Sequence, residues 1–336
     1  MAPARIAIYG ATGHTGRLVA AELLARGQDT VLAGRDADAL KALAASFDVP
    51  AAVAPLDDPG ALRALAEDAT VLIHCAGPFS VTGEPVARAA AEAGCHYVDH
   101  AVEAHHVKRM FDAFPATARR TGAVMVPSVS FYGGLGDLLA GAVAAGRTGI
   151  ERVVVGYAVT GWRLTPGAKA TATQLFAETD RISYTDGALH VGYVEPRNAV
   201  FPFPPPLGPR SMIAPVPFPE AVTIPRHVPA RTVEAQLTAH TFTEEGVFTG
   251  EHVDLATRAG TDFTVAVQAI PGGAGQLTGR DLWRAGALAS VEAAVHLAAG
   301  RGPADGGVYS PAEAFPPEPF LRALEALGAF ALTLAG

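Results

Sequence analysis

Gly10-Ala11-Thr12-Gly13-His14-Thr15-Gly16 decides how this chain is read. The short apolar run Arg5-Ile-Ala-Ile-Tyr9 precedes it, and Arg17-Leu-Val-Ala-Ala-Glu-Leu-Leu-Ala-Arg26, with helical periodicity, follows. Strand, glycine turn and helix come in that order. Glycines let the backbone turn tightly and approach a pyrophosphate, and a helix N-terminus offers unpaired N–H groups and the positive end of its dipole. A purely structural glycine turn would need neither flank. The order of the flanks favours a bound dinucleotide, held by Gly10, Thr12, Gly13, His14, Thr15 and Gly16.

The spacing is G-x-x-G-x-x-G, a variant common among NADP-type Rossmann proteins. Asp29-Thr-Val-Leu-Ala-Gly34-Arg35-Asp36 reads as the second strand. Where NAD-binding units place an acid for the ribose hydroxyls, this chain has Gly34-Arg35, and an arginine suits a 2′-phosphate dianion. NADP(H) is the expected cofactor. Asp36 keeps an NAD reading open, and Arg35 as the plain surface start of a helix is the other alternative.

The pattern continues with a helix over Ala39–Ser46 and a third strand over Ala51–Leu56, ending at Asp57, where an acid can meet the adenine amino group. Asp58 and Pro59 open a helix to Asp68. Thr70–Cys75 is a largely apolar fourth strand, as a buried parallel strand should be. It ends in Ala76-Gly77-Pro78-Phe79, a turn at the sheet's carboxyl edge, where open α/β sheets bind ligands. Cys75, Ala76, Gly77, Pro78 and Phe79 join the cofactor candidates. A helix over Glu84–Ala93 and strands at Cys95–Asp99 and Gly122–Pro127 complete a doubly wound parallel Rossmann sheet, expected as a domain over residues 1–130.

A chain of 336 residues exceeds the size at which single cores split, so two domains are expected. Apolar stretches such as Leu138–Ala145 are too short to span a membrane, and no apolar signal region precedes the first strand. A net charge of −8 argues against a general nucleic-acid surface. Cys75 and Cys95 are the two cysteines and lack metal-ligand spacing, so the expectation is a cytoplasmic, disulfide-free protein without a metal. High Ala, Gly and Pro with three lysines suggests a GC-rich bacterial source.

The glycine turn, Ala76-Gly77-Pro78-Phe79, Gly94-Cys-His-Tyr97-Val-Asp99 with Glu103 following, and Tyr309-Ser-Pro311-Ala-Glu313-Ala-Phe315 together resemble the saccharopine dehydrogenase-like reductases. That family includes saccharopine reductases and trans-acting enoyl reductases. The resemblance is good at the N-terminal end, weak in the middle and moderate at the C-terminal end. The family's usual glycine before the glutamate is Val102 here. Its Gly-Phe-Asp-x-x-Pro-x-Asp stretch appears as Ser130-Phe131-Tyr132-Gly133-Gly134-Leu135-Gly136-Asp137, with Tyr132 at the acid's place and Leu135 at the proline's. The resemblance implies a second domain for substrate binding and subunit contacts, with a homodimer possible, and a C-terminal segment, 306–336, that returns to the Rossmann domain.

Residues 131–305 read as an α+β domain, an antiparallel sheet covered by helices. Strand-like runs lie at Glu151–Val159, Ala188–Val194, Val233–Thr241 and Asp262–Ile270. Thr165 caps a helix to about Glu178, and Arg280–Ala299 is a long helix. Phe320–Leu334 reads as a docking helix. Phe201–Pro229 holds ten prolines, so it reads as a lid or dimer arm, or as a surface loop, and not as a central strand or helix.

The chemistry is less legible. No lysine has a tyrosine four residues before it, which excludes the short-chain dehydrogenase Tyr-x-x-x-Lys arrangement, and no Gly-x-Ser-x-Gly occurs. His96 and His100 fall on a strand and its end and do not read as a metal pair. His105 and His106 diverge on a helix and read as solvent-facing. Tyr132, His100 and Asp99 are the candidate proton donors. Tyr132 reads equally as an aromatic wall, and His100 as a structural histidine. Lys169 and Glu103 are candidate substrate contacts, Lys169 reading equally as a surface residue. The expected function is an NADP(H)-dependent oxidoreductase that reduces a C=N or C=C bond of a small or carrier-bound metabolite, with secondary metabolism as a candidate setting. A cofactor-sensing regulator without turnover is the alternative.

Overall fold

Short apolar strands alternate with capped helices through the first third of the chain. In the computed structural model, which describes residues 4–250 and 253–335, they form β1 (Arg5–Tyr9), α1 (His14–Ala25), β2 (Asp29–Gly34), α2 (Ala37–Phe47), β3 (Ala51–Val53), α3 (Pro59–Glu67), β4 (Val71–His74), α4 (Phe79–Ala93), β5 (His96–Asp99), α5 (Ala104–Ala113), α6 (Pro115–Thr121) and β6 (Val124–Val126). Then follow α7 (Gly134–Ala144), β7 (Arg152–Thr160), α8 (Pro166–Ala177), β8 (Asp180–Thr185), β9 (Ala188–Tyr193), β10 (Arg197–Pro202), β11 (Pro209–Ala214), α9 (Glu220–Thr223), β12 (Thr232–Thr238), α10 (Leu255–Ala259), β13 (Asp262–Ile270), β14 (Ala274–Arg280) and α11 (Leu282–Ala298). The chain closes with β15 (Gly307–Val308), α12 (Pro311–Ala314), α13 (Pro317–Ala326) and β16 (Ala331–Ala335). The described residues divide into two units. The first takes residues up to Ala101, His106–Ser130 and Gly286–Tyr309; the second takes Val102–His105, Phe131–Ala285 and the chain from Ser310.

The first unit holds a seven-stranded sheet in the order β15-β6-β5-β4-β1-β2-β3, parallel throughout. This is the doubly wound arrangement, with its switch point beside β1. All four residues of β4 are buried, as a strand covered on both faces requires. On α1, Val19, Ala20 and Leu23 form the buried stripe. Asp36 and Asp58 cap α2 and α3, each side chain accepting from a backbone N–H at 3.0 Å.

The second unit holds a sheet in the order β10-β11-β12-β7-β13-β14-β16, with β8 and β9 as a hairpin attached to β12. It is mixed, not purely antiparallel as expected, because β12 pairs with β7 in parallel. The long excursion between those strands permits the crossover that parallel pairing needs. The proline-rich segment forms the β10–β11 edge hairpin and α9. Pro202 and Pro209 sit at its strand ends, where a missing N–H is tolerated. Phe201 and Phe203 pack with Val154, Ala158, Met212 and Ala266, and a Cβ on Gly156 would lie 2.8 Å from the Phe201 ring.

The C-terminal expectation is corrected. Only β15 joins the first sheet, and the segment that returns to the first unit is Gly286–Tyr309. From Ser310 the chain belongs to the second unit, where β16 pairs with β14. The expected docking helix is α13, which stops at Ala326; Gly328 at φ +73° turns the chain into a strand. Ala331-Leu-Thr-Leu-Ala335 pairs along its whole length with Ala274–Thr278 of β14.

Candidate cofactor site and adjoining polar cluster

The three glycines of the first turn have different tasks. Gly10 adopts φ +83°, and a Cβ there would lie 2.6 Å from Ala76 Cβ and 2.8 Å from Ala76 N. The turns after β1 and β4 therefore touch at Gly10. A Cβ on Gly16 would lie 2.3 Å from Gly10 O and 2.7 Å from Ala11 Cα, so Gly16 lets α1 seat directly on the turn. Gly13 is exposed, at φ −72° and ψ 170°, and begins α1 with no side-chain cap. Thr12, His14 and Thr15 flank it at intermediate exposure. The first-turn N–H groups of α1, with the positive end of its dipole, suit a pyrophosphate approaching at Gly13.

At the end of β2, Gly34 is buried beneath Leu40, and Arg35 is exposed without an ion-pair partner among the described residues. Burial pushes the Tyr9 phenol up, and the Arg35 charge pulls the other way, which places that guanidinium near the end of β1. Asp36, the residue that left NAD open, spends a carboxylate oxygen on the Ala39 N–H, 3.0 Å away. Arg35 is the group left to meet a 2′-phosphate. Asp57 is exposed in the turn before α3. Arg35→Ala is expected to weaken NADPH binding by about 1.5–3 kcal/mol and to leave NADH unchanged. Fluorescence titration of both cofactors checks this, and equal losses for the two would refute the assignment.

The turn after β4 is tied at both ends. Cys75 N–H donates to Tyr9 O at 2.8 Å, and the Thr82 hydroxyl reaches the carbonyl oxygens of Ala76 and Pro78. Cys75, Ala76, Gly77 and Pro78 are half-buried and Phe79 is buried. Burial raises the Cys75 thiol well above its ordinary range, so it is not a thiolate at neutral pH. The Phe79 ring lies 4.8 Å from that of His74 and 5.4 Å from that of His106.

Beside this turn, at the ends of β4, β5 and β6, is a buried polar cluster. Asp99, fully buried, accepts from Ala101 N at 2.9 Å and Ser128 N at 2.7 Å, and pairs with His106 Nε2 at 2.9 Å. Burial alone would raise its pKa, but those donors together hold it below the usual carboxylate value. This setting is that of an anchored anion, which counts against Asp99 among the three candidate proton donors. His106 is corrected too. It is 5% exposed and faces inward with Val107 and Met110, and a Cβ on Gly83 would lie 2.3 Å from its ring. Ser128 holds φ +61°, and its Oγ is buried without a partner. His74 Nδ1 lies 3.0 Å from the Tyr97 hydroxyl, and burial lowers its pKa to about 3. His100 Nε2 lies 2.8 Å from Ser290 Oγ on α11, and burial, opposed by Asp99, lowers its pKa to about 4. His74, Ser128 and Ser290 were not singled out from the sequence, and His106 was named only as a solvent-facing histidine. The available signal was the place of His106 on the apolar stripe of α5.

The other candidates belong to the second unit. Tyr132 belongs to the second unit, where its ring packs against those of Phe218 at 4.8 Å, Phe131 at 4.9 Å, Tyr157 at 5.1 Å and Trp162 at 6.0 Å. That is the aromatic-wall environment, and burial raises its phenol well above the ordinary value. Nearby, the Tyr157 hydroxyl donates to Glu220, whose carboxyl burial pushes up to about 7. Asp137 pairs with His227 at 2.8 Å and accepts from Ala312 N at 2.8 Å. Glu103 is 2% exposed and accepts from the adjacent Val102 N–H at 3.0 Å, within its own turn. Lys169 is exposed on α8, with Nζ 3.3 Å from Thr249 O, which is a surface setting and not an anion pocket. Among the described residues no cluster of metal-binding side chains occurs, and no helix is long and apolar enough to cross a membrane.

Residues 6–126 match the family model for the saccharopine dehydrogenase NADP binding domain. A probable mitochondrial saccharopine dehydrogenase-like oxidoreductase of Arabidopsis thaliana is 33% identical over 140 residues, covering 37% of this chain and 31% of that protein. A trans-acting enoyl reductase of Mycobacterium tuberculosis (strain H37Rv) is 32% identical over 133 residues, covering 38% of this chain and 32% of that protein. The chain spans about a third of the length of these curated relatives. Apo saccharopine dehydrogenase (L-Glu forming) from Saccharomyces cerevisiae shares the fold, with a TM-score of 0.65 at 12% identity over 99% of this chain and 100% of that one. The turn built on Gly10 and Gly16, the exposed Arg35 and the match over residues 6–126 agree: the first unit of this chain is an NADP(H)-binding domain of the saccharopine dehydrogenase type.

Proposed function

We propose that this protein is an NADPH-dependent reductase of a C=N bond in a small or carrier-bound metabolite. The observation that carries this reading is the state of the polar groups at the carboxyl edge of the first sheet. Asp99 is an anion with its donors in place, and His100 is neutral with Nε2 engaged by Ser290. Neither is set to release a proton. NADPH, when bound, supplies a hydride, and an iminium carbon can take it with little proton donation, whereas a ketone or enoyl group needs an acid. The likeness to trans-acting enoyl reductases supports a second reading, C=C reduction, with Tyr132 as the acid.

NADPH oxidation against imines, enones and carrier-bound enoyl substrates, with wild type and Tyr132→Phe, separates the readings. Turnover of imines with kcat unchanged in Tyr132→Phe is the expected result. Turnover of enoyl substrates that falls about 10²–10⁴-fold in Tyr132→Phe would transfer the assignment to C=C reduction. Tight NADPH binding with no oxidation of any substrate would favour a cofactor sensor.

A further inference from the structure

Ser290 has one hydroxyl proton, and its Oγ lies 3.0 Å from Ala287 O, an acceptor one turn back on α11 that this proton can reach. The same oxygen lies 2.8 Å from His100 Nε2. A hydroxyl proton given to Ala287 O leaves Nε2 to carry the hydrogen of that contact and Ser290 to accept it. Burial keeps the ring neutral against the pull of Asp99, so the second ring nitrogen carries no proton. In that arrangement His100 holds a lone pair at Nδ1. The residue is half-buried, Nδ1 has no partner among the described residues, and it is not among the polar atoms sealed from water. The His100 N–H donates to His74 O at 3.2 Å, which roots this residue beside the Cys75–Phe79 turn at the sheet's carboxyl edge.

We infer that His100 is a specificity-determining residue that accepts, through Nδ1, a hydrogen bond from the N–H of the substrate's C=N nitrogen. A protonated imine and its amine product present such a donor. A ketone or enoyl oxygen presents lone pairs only, and meeting a second lone pair at Nδ1 disfavours it. The inference rests on the C=N reading and names what makes the site choose that substrate class. Ser290 acts through His100 as a positioning residue by fixing the tautomer.

Two measurements test it. Long-range proton–nitrogen correlation NMR on ¹⁵N-histidine-labelled protein reports the tautomer of each ring, with His100→Asn identifying the signal. The expected result is a neutral His100 with hydrogen on Nε2 and a bare Nδ1 at pH 7, and a mixture of tautomers in Ser290→Ala. Hydrogen on Nδ1, or a charged ring at pH 7, overturns the inference whatever the substrate.

The second measurement compares His100→Leu and His100→Asn with wild type, using NADPH titration and steady-state kinetics on a five-membered cyclic imine. NADPH affinity is expected to hold in both variants, which also reports that they fold. KM for the imine is expected to rise roughly tenfold to a hundredfold in His100→Leu, and His100→Asn, whose amide oxygen can stand near the Nδ1 position, is expected to recover most of it. Imine turnover with KM unmoved in His100→Leu overturns the inference and leaves the C=N reading standing. Absence of imine turnover in the wild type overturns that reading, and this inference with it.

Discussion

Gly16→Ala is expected to lose both the structure of the first turn and NADPH binding, whereas Gly13→Val is expected to lose binding alone. The added carbon at position 16 would lie 2.3 Å from a backbone oxygen and 2.7 Å from a Cα, and neither can swing aside as a side-chain end could. Relief requires α1 to lift from the turn, uncovering the stripe of Val19, Ala20 and Leu23 that anchors it. The cost should reach or exceed the roughly 1–3 kcal/mol of ordinary overpacking. Gly13 differs. Its backbone angles suit any residue, and an added Cβ meets only Gly10 O, at 3.3 Å. Valine there should cost about 1 kcal/mol as a poorer cap while occupying the space where phosphates approach. Thermal melts and NADPH titration of the two variants distinguish the roles. Wild-type affinity in Gly13→Val would remove the cofactor assignment at this turn, and a wild-type melting temperature in Gly16→Ala would show that the turn yields more than its contacts imply.

The difference between those glycines marks what the sequence made legible. The motif announced a tight turn and a ligand, because strand, glycines and helix stood in order. Which glycine serves packing and which the ligand depends on the path of the folded turn, where Gly16 meets Gly10 and Ala11, and Gly10 meets Ala76 far along the chain. Two helix caps were legible for the same local reason: Asp58 and Thr165 each accept from a backbone N–H three residues on, and Asp36, weighed only as an acid for NAD, does the same. Where tertiary contact overrides local grammar, the reading failed. The helix α4 was expected to begin at Glu84, yet it begins at Phe79 and runs through Gly83 and Pro85. Gly83 is small because His106 occupies the space a Cβ would need. His106 was in turn read as solvent-facing because its partner Asp99 lies on another element. The polar cluster beside the cofactor turn was half visible: Asp99 and His100 stood out as chemical residues at a strand end, but Ser128 and Ser290 have no local pattern that sets them apart.

Acidification from pH 7 to pH 5 is expected to destabilise the first unit and to strengthen the second. In the unfolded chain a histidine titrates near pH 6.5, while His74 and His100 in the fold are held down to about 3 and about 4, chiefly by burial. Folded-state pKa values below the unfolded ones mean that the unfolded chain gains protons first as pH falls. Stability is intact above pH 6.5 and is lost as pH drops towards the folded values. At pH 5 each histidine contributes a loss of about 2 kcal/mol, roughly 4 kcal/mol together. Asp99, also held below its ordinary value, adds to the loss only at still lower pH. Glu220 in the second unit runs the other way. Its carboxyl is raised to about 7 by burial, so the folded form takes up a proton before the unfolded one, and stability rises by about 2 kcal/mol between pH 7 and pH 5. Hydrogen exchange followed by peptide, corrected for intrinsic rates, should show protection falling across β1, β4 and β5 and holding or rising across β7 and β12. The histidine contribution is isolated by His100→Gln, which should halve the pH dependence in the first unit while leaving β7 and β12 unchanged. A change of equal size in both units would show that global charge, and not these buried rings, governs the response to acid.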